Sequence, residues 1–326
     1  MIISTGVRTD IVQHYTPWLL KRLEQGYALS RNPFSPDRIT RYDLTPDKVD
    51  CVVFCSKNYE PILPHMEAVL ARFPVYCHYT ITAYGRDMEP GVPSIERSMD
   101  TLERLAKIVG RRRIAWRYDP ILLSREYTVE RHLETFAAMA VRLAPHIDRC
   151  IFNFVEIYKK LERNMPRLAP VPPAERDRIA RGLGAVAQRC GIAIQTCGLH
   201  GDYTRYGIQG SGCITLDMLG EANGLDFRTL RHRGKREGCR CIESRDIGAF
   251  NTCPNGCRYC YANASPETAR RNWLGHDPDS PLLCGRPRLR DVVVAGRQKS
   301  FLAARKRAPG EEGQTAAFLP GLERQR

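Results

Sequence analysis

Cys253-Pro-Asn-Gly-Cys257-Arg-Tyr-Cys260 sets three thiols at three-then-two spacing, which can hold three irons of a cubane cluster and leave the fourth without a protein ligand. An iron with an open position can bind a substrate or cofactor, whereas four cysteines per cluster suit electron transfer or structural work. Cys197, Cys213, Cys239 and Cys241 form a second set, enough for a closed [4Fe–4S] cluster or a four-thiolate zinc site. Cys239 and Cys241 can share one metal centre or, at a strained two-residue spacing, sit on different irons. Zinc competes for the whole region, because closely spaced cysteine pairs also suit a tetrahedral ion. Cys51, Cys55, Cys77, Cys150 and Cys190 lie in apolar stretches or at helix ends and read as packed thiols.

Short β-rich runs alternate with helical patterns through the first 200 residues, the signature of βα units around a parallel sheet. Strands are expected at 2–4, 49–54, 75–82, 114–118, 150–155 and 192–196. Helical periodicity marks 94–109, 129–143 and 174–190, with Pro17 and Pro61 where helices can begin and Gly110 and Gly191 where they end. Polar residues follow nearly every strand: Arg8 and Asp10, Lys57 and Asn58, Tyr84, Arg117 with Asp119, Glu156, and Cys197 with His200. The C-terminal mouth of a (β/α) barrel would gather them into one pocket, so the expected fold is α/β, a partial (β/α)6 TIM-like barrel. Arg8, Asp10, Lys57, Arg117, Asp119 and Glu156 are the pocket candidates. The plainer alternative for Arg8–Asp10 and for Arg117–Asp119 is a structural ion pair.

A chain of 326 residues, 43% apolar, suits one large domain with an appendage. The expected organisation is a barrel over 1–198, a cysteine-rich iron–sulfur module over 199–302 packed on the barrel mouth, and a disordered tail over 303–326. The module has too little apolar periodicity to fold alone, and metal binding can supply the missing free energy. Thirteen cysteines with no apolar leader point to the reducing cytoplasm and to metal ligation, and no segment suits a membrane. The net charge is +14. Between Arg228 and Arg240 six basic residues (Arg228, Arg231, Arg233, Lys235, Arg236, Arg240) face one acid, Glu237, and lead into the cysteines. That stretch suits a phosphate-bearing substrate, nucleic acid or the negative charge of a thiolate cluster, or else is a solvated loop.

The chain resembles the DUF1848 family of uncharacterised bacterial proteins over roughly residues 1–301. The resemblance is carried by Arg8-Thr-Asp-Ile11, Arg31-Asn-Pro-Phe34, Val52-Val-Phe-Cys-Ser-Lys-Asn58, Tyr79-Thr-Ile-Thr-Ala-Tyr-Gly85, Trp116-Arg-Tyr-Asp-Pro120 and the run from Gly238 into Cys253. It departs from the family pattern at Cys55, where Trp is usual, and at Cys284, where an aliphatic residue is expected. The family's cysteine motif is similar to that of radical SAM enzymes, although there it follows the first barrel strand and here the sixth. The resemblance implies a [4Fe–4S] cluster on Cys253, Cys257 and Cys260, SAM chelating the open iron, and reductive SAM cleavage by an external electron donor. A deoxyadenosyl radical would then abstract hydrogen from an unknown substrate. Tyr259 would lie near the adenine or simply pack. The rivals are a zinc-stabilised nucleic-acid-binding protein and an iron–sulfur electron-transfer protein without SAM chemistry.

Overall fold

Alternation of β-branched runs with amphipathic helices produces eleven strands among the described residues: β1 (Ile2–Ser4), β2 (Tyr27–Arg31), β3 (Arg38–Asp43), β4 (Cys51–Ser56), β5 (Val75–Thr80), β6 (Ile114–Ile121), β7 (Arg149–Phe154), β8 (Ala193–Cys197), β9 (Ile208–Ser211), β10 (Arg245–Asp246) and β11 (Val292–Ala295). The structure is a computed structural model describing residues 1–198, 201–230 and 238–303. The six expected strands are present, with ends shifted by up to three residues. The helices Ile95–Val109 and Val129–Leu143 are N-capped by the hydroxyls of Ser94 and Thr128, and Ile95–Val109 buries Met99, Leu102, Leu105 and Val109. Gly110 and Gly191 close helices with φ of +80° and +64°. Pro17 opens the helix Thr16–Gln25, whereas Pro61 precedes only a short 3-10 turn, Leu63–His65.

Eight strands form one sheet in the order β10-β1-β4-β5-β6-β7-β8-β9, and every pairing in it is parallel. The expectation of six strands in a partial barrel is corrected in two ways. The sheet has eight strands, and among the described residues no ladder joins its edges β9 and β10, so it does not close. The edges still approach: Ile242 N–H donates to the Ile214 carbonyl at 2.8 Å, and Arg240 Nη1 reaches the Gly210 carbonyl at 2.9 Å. Segments flanking β9 and β10 therefore touch, which requires a strongly curved sheet.

The curved sheet has two apolar faces. Val52, Phe54, Cys77, Tyr79, Trp116, Cys150 and Phe152 pack with the flanking helices in the main core. On the opposite face Ile2, Cys51, Val53, Tyr76, Ala115 and Ile151 pack against Leu216, Met218 and Leu219 of the helix Leu216–Asn223, with Cys197, Cys241 and Ile242. Asn223 fixes that helix at the entry ends of the strands, since its side chain bonds the backbone of Val75 and accepts from Arg113 Nε at 2.9 Å. Cys51, Cys77 and Cys150 are packed thiols.

The expected boundary at residue 198 falls inside this sheet, because β9 and β10 belong to it. A second sheet, β11-β3-β2, was not foreseen, and it ties residues 292–295 in parallel register to 38–41. Residues 304–326, most of the expected tail, lie outside the described residues. No described helix is long and apolar enough to cross a membrane.

His132 shows how burial couples this core to pH. Its Nε2 faces the Leu122 carbonyl at 2.9 Å and so carries the proton, leaving Nδ1 to accept from the Tyr118 hydroxyl at 2.8 Å. This neutral tautomer is fully satisfied, and burial pushes the imidazole down to about 4. An unfolded histidine takes its proton near 6.5, so the contribution is complete above that pH and is lost as pH falls towards 4. Urea unfolding should show stability falling by up to about 3 kcal/mol over this window through His132 alone. His132→Gln should flatten the slope, and an unchanged slope would refute the assignment.

Candidate metal centre

All strands of the large sheet point the same way, so the residues after them share one end, and the Cys253–Cys260 loop docks there. Asn255 accepts at Oδ1 from the His14 ring at 2.8 Å, donates to Gln13, and takes the Gly91 N–H on its carbonyl at 2.8 Å. Arg258 N–H reaches the Met88 carbonyl, and the Tyr15 hydroxyl donates to the Thr252 carbonyl at 2.6 Å. Tyr261 donates to the Val7 carbonyl. The loop thus spans the segments after β1 and β5. Gly91 permits the approach, because a Cβ there would stand 2.8 Å from the Asn255 backbone.

The three loop thiols are electrostatic neighbours. Burial pushes Cys253 up to about 12, with Asp10 and Cys260 adding to it, and raises Cys257 well above its ordinary value, with Glu89 adding and Lys57 opposing. Neutral buried thiols are the state expected of such ligands without a cation, and a metal ion reverses that preference. The three sulfurs are not among the ligand atoms that gather within 4.8 Å of one another.

Most of the expected pocket residues already have structural partners. The Asp10 carboxylate accepts from Gln13 N at 3.0 Å, Ser56 Oγ at 2.7 Å and Lys57 N at 2.9 Å, which joins the end of β4 to the short helix Ile11–His14. Arg8 bonds Ser30 and the Gly248 carbonyl and lies 3.7 Å from Asp246. Arg8 and Asp10 are thus not paired with each other. Lys57 Nζ meets Glu89 at 2.9 Å. Burial works against the Lys57 charge, but Glu89 and Cys257 outweigh it and hold the ammonium above its usual range. Arg117 pairs with Asp119 and donates to Cys55 Sγ at 3.4 Å. Glu156 accepts from Tyr158. Tyr259 donates to Glu89 and packs 5.5 Å from the Tyr84 ring, so its hydroxyl is committed to protein.

The second set converges more tightly. Cys197, Cys213 and Cys241 hold their sulfurs within 4.8 Å of one another, with Cys241 3.8 Å from Cys197 and 3.2 Å from Cys213. Cys239 lies outside that group but interacts with the Cys197 thiol. Hydrogen bonds from Cys197 and then Cys213 hold Cys241 down to about 4, while Cys213 is pushed well up. His200 and the residues 231–237 of the basic stretch lie outside the described residues. Arg228 and Arg240 each bond a backbone carbonyl, of Ser300 and Gly210.

Sequence reading passed over Glu89 and Asp246. Glu89 is 3% exposed yet receives Lys57, Thr82 Oγ1 at 2.8 Å and Tyr259. Its signal was an acid in the turn-rich run Met88-Glu-Pro-Gly-Val-Pro93 after a strand. Asp246 accepts from Val7 N at 2.9 Å and Gly248 N at 3.0 Å. Glu89→Ala would leave Lys57 buried without its counter-charge and should cost about 3–5 kcal/mol in urea unfolding. Glu89→Gln, which keeps an acceptor, should cost less, and equal losses would show that the charge is irrelevant.

No curated protein and no solved structure matches the chain. The family model described as a domain of unknown function, DUF1848, matches residues 2–262, a span that contains both cysteine sets and ends two residues after Cys260. The chain belongs to the DUF1848 family.

Proposed function

We propose that the protein is a radical SAM-like iron–sulfur enzyme, with a [4Fe–4S] cluster on Cys253, Cys257 and Cys260 and a substrate site at the C-terminal ends of an interrupted (β/α) barrel. One observation carries the reading: the three-cysteine loop lies across the strand ends, where the charged residues of an active site would collect, and not on the periphery. The donor set fits such a cluster. Three partly buried thiols are electrostatic neighbours beside Lys57, and their sulfurs do not gather within 4.8 Å of one another as ligands of one ion would.

When bound, that cluster would supply SAM cleavage and hydrogen abstraction from the substrate. The chain's own residues position and shield. Asn255, His14 and Gln13 fix the loop's first turn, and Tyr259 with Glu89 and Lys57 fixes its last. Arg117 and Asp119, with side chains 20% and 17% exposed, keep surface to offer a polar substrate. Asp10 has given its carboxylate to backbone and hydroxyl donors, so it supports the site's framework.

Cys253→Ala should abolish SAM cleavage by the anaerobically reconstituted, reduced protein while its far-ultraviolet circular dichroism and melting stay near wild type. SAM should also perturb the electron paramagnetic resonance signal of the reduced wild-type cluster. Cleavage retained by the variant, or a cluster signal indifferent to SAM, would overturn the reading; the second result would favour electron transfer.

A further inference from the structure

We propose that Cys197, Cys213, Cys239 and Cys241 hold a single tetrahedral zinc ion and not a second cubane, and that this ion fastens the two edges of the open sheet. The sulfur spacing is the first ground. Four thiolates at about 2.3 Å from one zinc stand about 3.8 Å from each other by tetrahedral geometry. Cys241 lies 3.8 Å from Cys197 and 3.2 Å from Cys213, and all three sulfurs fall within 4.8 Å. A cubane places its thiolates on different irons, and sulfurs crowded to van der Waals contact leave no room for one between them.

The surroundings suit the charge of such a centre. A divalent ion with four thiolates carries two net negative charges, which in a buried place require compensating donors and cations. Cys213 N–H points at Cys241 Sγ at 3.2 Å. Burial opposes the Arg117 charge, and Asp119 and Cys55 hold it with smaller contributions from Cys213 and Cys197, while its Nε is buried with no hydrogen-bond partner. A cation with an unspent donor beside clustered thiols is the arrangement that a metal-thiolate dianion would satisfy.

The position explains the purpose. Cys197 ends β8, Cys213 lies just beyond β9, and Cys239 and Cys241 precede β10. Here the edges approach without a ladder, closely enough that a Cβ on Gly212 would stand 2.5 Å from the Arg240 carbonyl. Metal–sulfur bonds would replace the missing strand pairing, and the segment they hold runs on through β10 into the Cys253–Cys260 loop.

The test is metal analysis of the full chain carrying Cys253→Ser, Cys257→Ser and Cys260→Ser together, grown with both iron and zinc supplied. The expected result is one zinc per chain with neither iron nor sulfide. Exchange with cobalt should then give the intense charge-transfer absorption of a tetrahedral thiolate site. Four irons with four sulfides in this variant, or no bound metal, would overturn the proposal. Cys213→Ser on the wild-type background should lower zinc content without removing the iron of the other site; if that variant does not fold, the triple variant decides alone. SAM cleavage plays no part in these readouts, so this proposal and the radical SAM-like reading stand or fall separately.

Discussion

The return of β10 to the edge beside β1 is the constraint on which the rest of the structure depends. It is a short ladder, Ile3 with Arg245 and Ser4 with Asp246, so backbone bonds alone hold it weakly. Asp246 strengthens it by taking the Val7 and Gly248 amides on its two carboxylate oxygens, with Arg8 alongside. Those contacts fix the segment after β1 and launch the chain towards the cysteine loop. β11, paired with β3, anchors the chain again on the far side of that loop. The loop is thus held from both ends by strands added to sheets that earlier parts of the chain began.

The first six strands of the large sheet and three long helices were legible because their signals are local: apolar runs of strand length, a 3.6-residue period, a capping hydroxyl and a terminal glycine. The missing elements lacked those signals. β10 is two residues, Arg245–Asp246, and is defined only by its partner. β3, Arg-Ile-Thr-Arg-Tyr-Asp, buries one residue, Ile39, and reads as a polar loop until β2 and β11 flank it. The polar strand ends were found, but their partners were not. Asp10 reads as a pocket candidate because sequence cannot show that three donors already occupy it, and Glu89 gives no signal of its pairing because two of its three partners, Lys57 and Tyr259, come from distant segments.

Buried charge explains why the strand-end residues pair as they do. Lys57 sits where desolvation opposes its ammonium, and the nearby Glu89 carboxylate, with Cys257 adding to it, makes the charged form the stable one. The same carboxylate accepts from Tyr259, between the second and third thiols, so a single acid couples the β4 end to the loop that carries the cysteines. A pair of this kind contributes little net stability compared with apolar packing, but it fixes geometry strictly, because a displaced partner would leave an uncompensated buried charge.

The two cysteine sets invert what their spacing in sequence suggests. The compact set, within eight residues, does not bring its sulfurs within 4.8 Å of one another, and its loop is fixed with Asn255 pinned to His14 and Gln13 and Tyr259 pinned to Glu89. Three of the scattered set, Cys197, Cys213 and Cys241, are brought to sulfur contact because curvature of the sheet carries β8 and β9 round to the approach to β10. Ligands spread by a rigid loop suit several metals bridged into one body, whereas ligands gathered from separate strands suit one ion that closes a seam. The second set packs with Ile2, Val53, Ile242 and their neighbours in one apolar cluster. The curvature that brings the three sulfurs of Cys197, Cys213 and Cys241 together also carries the chain through β10 to the loop.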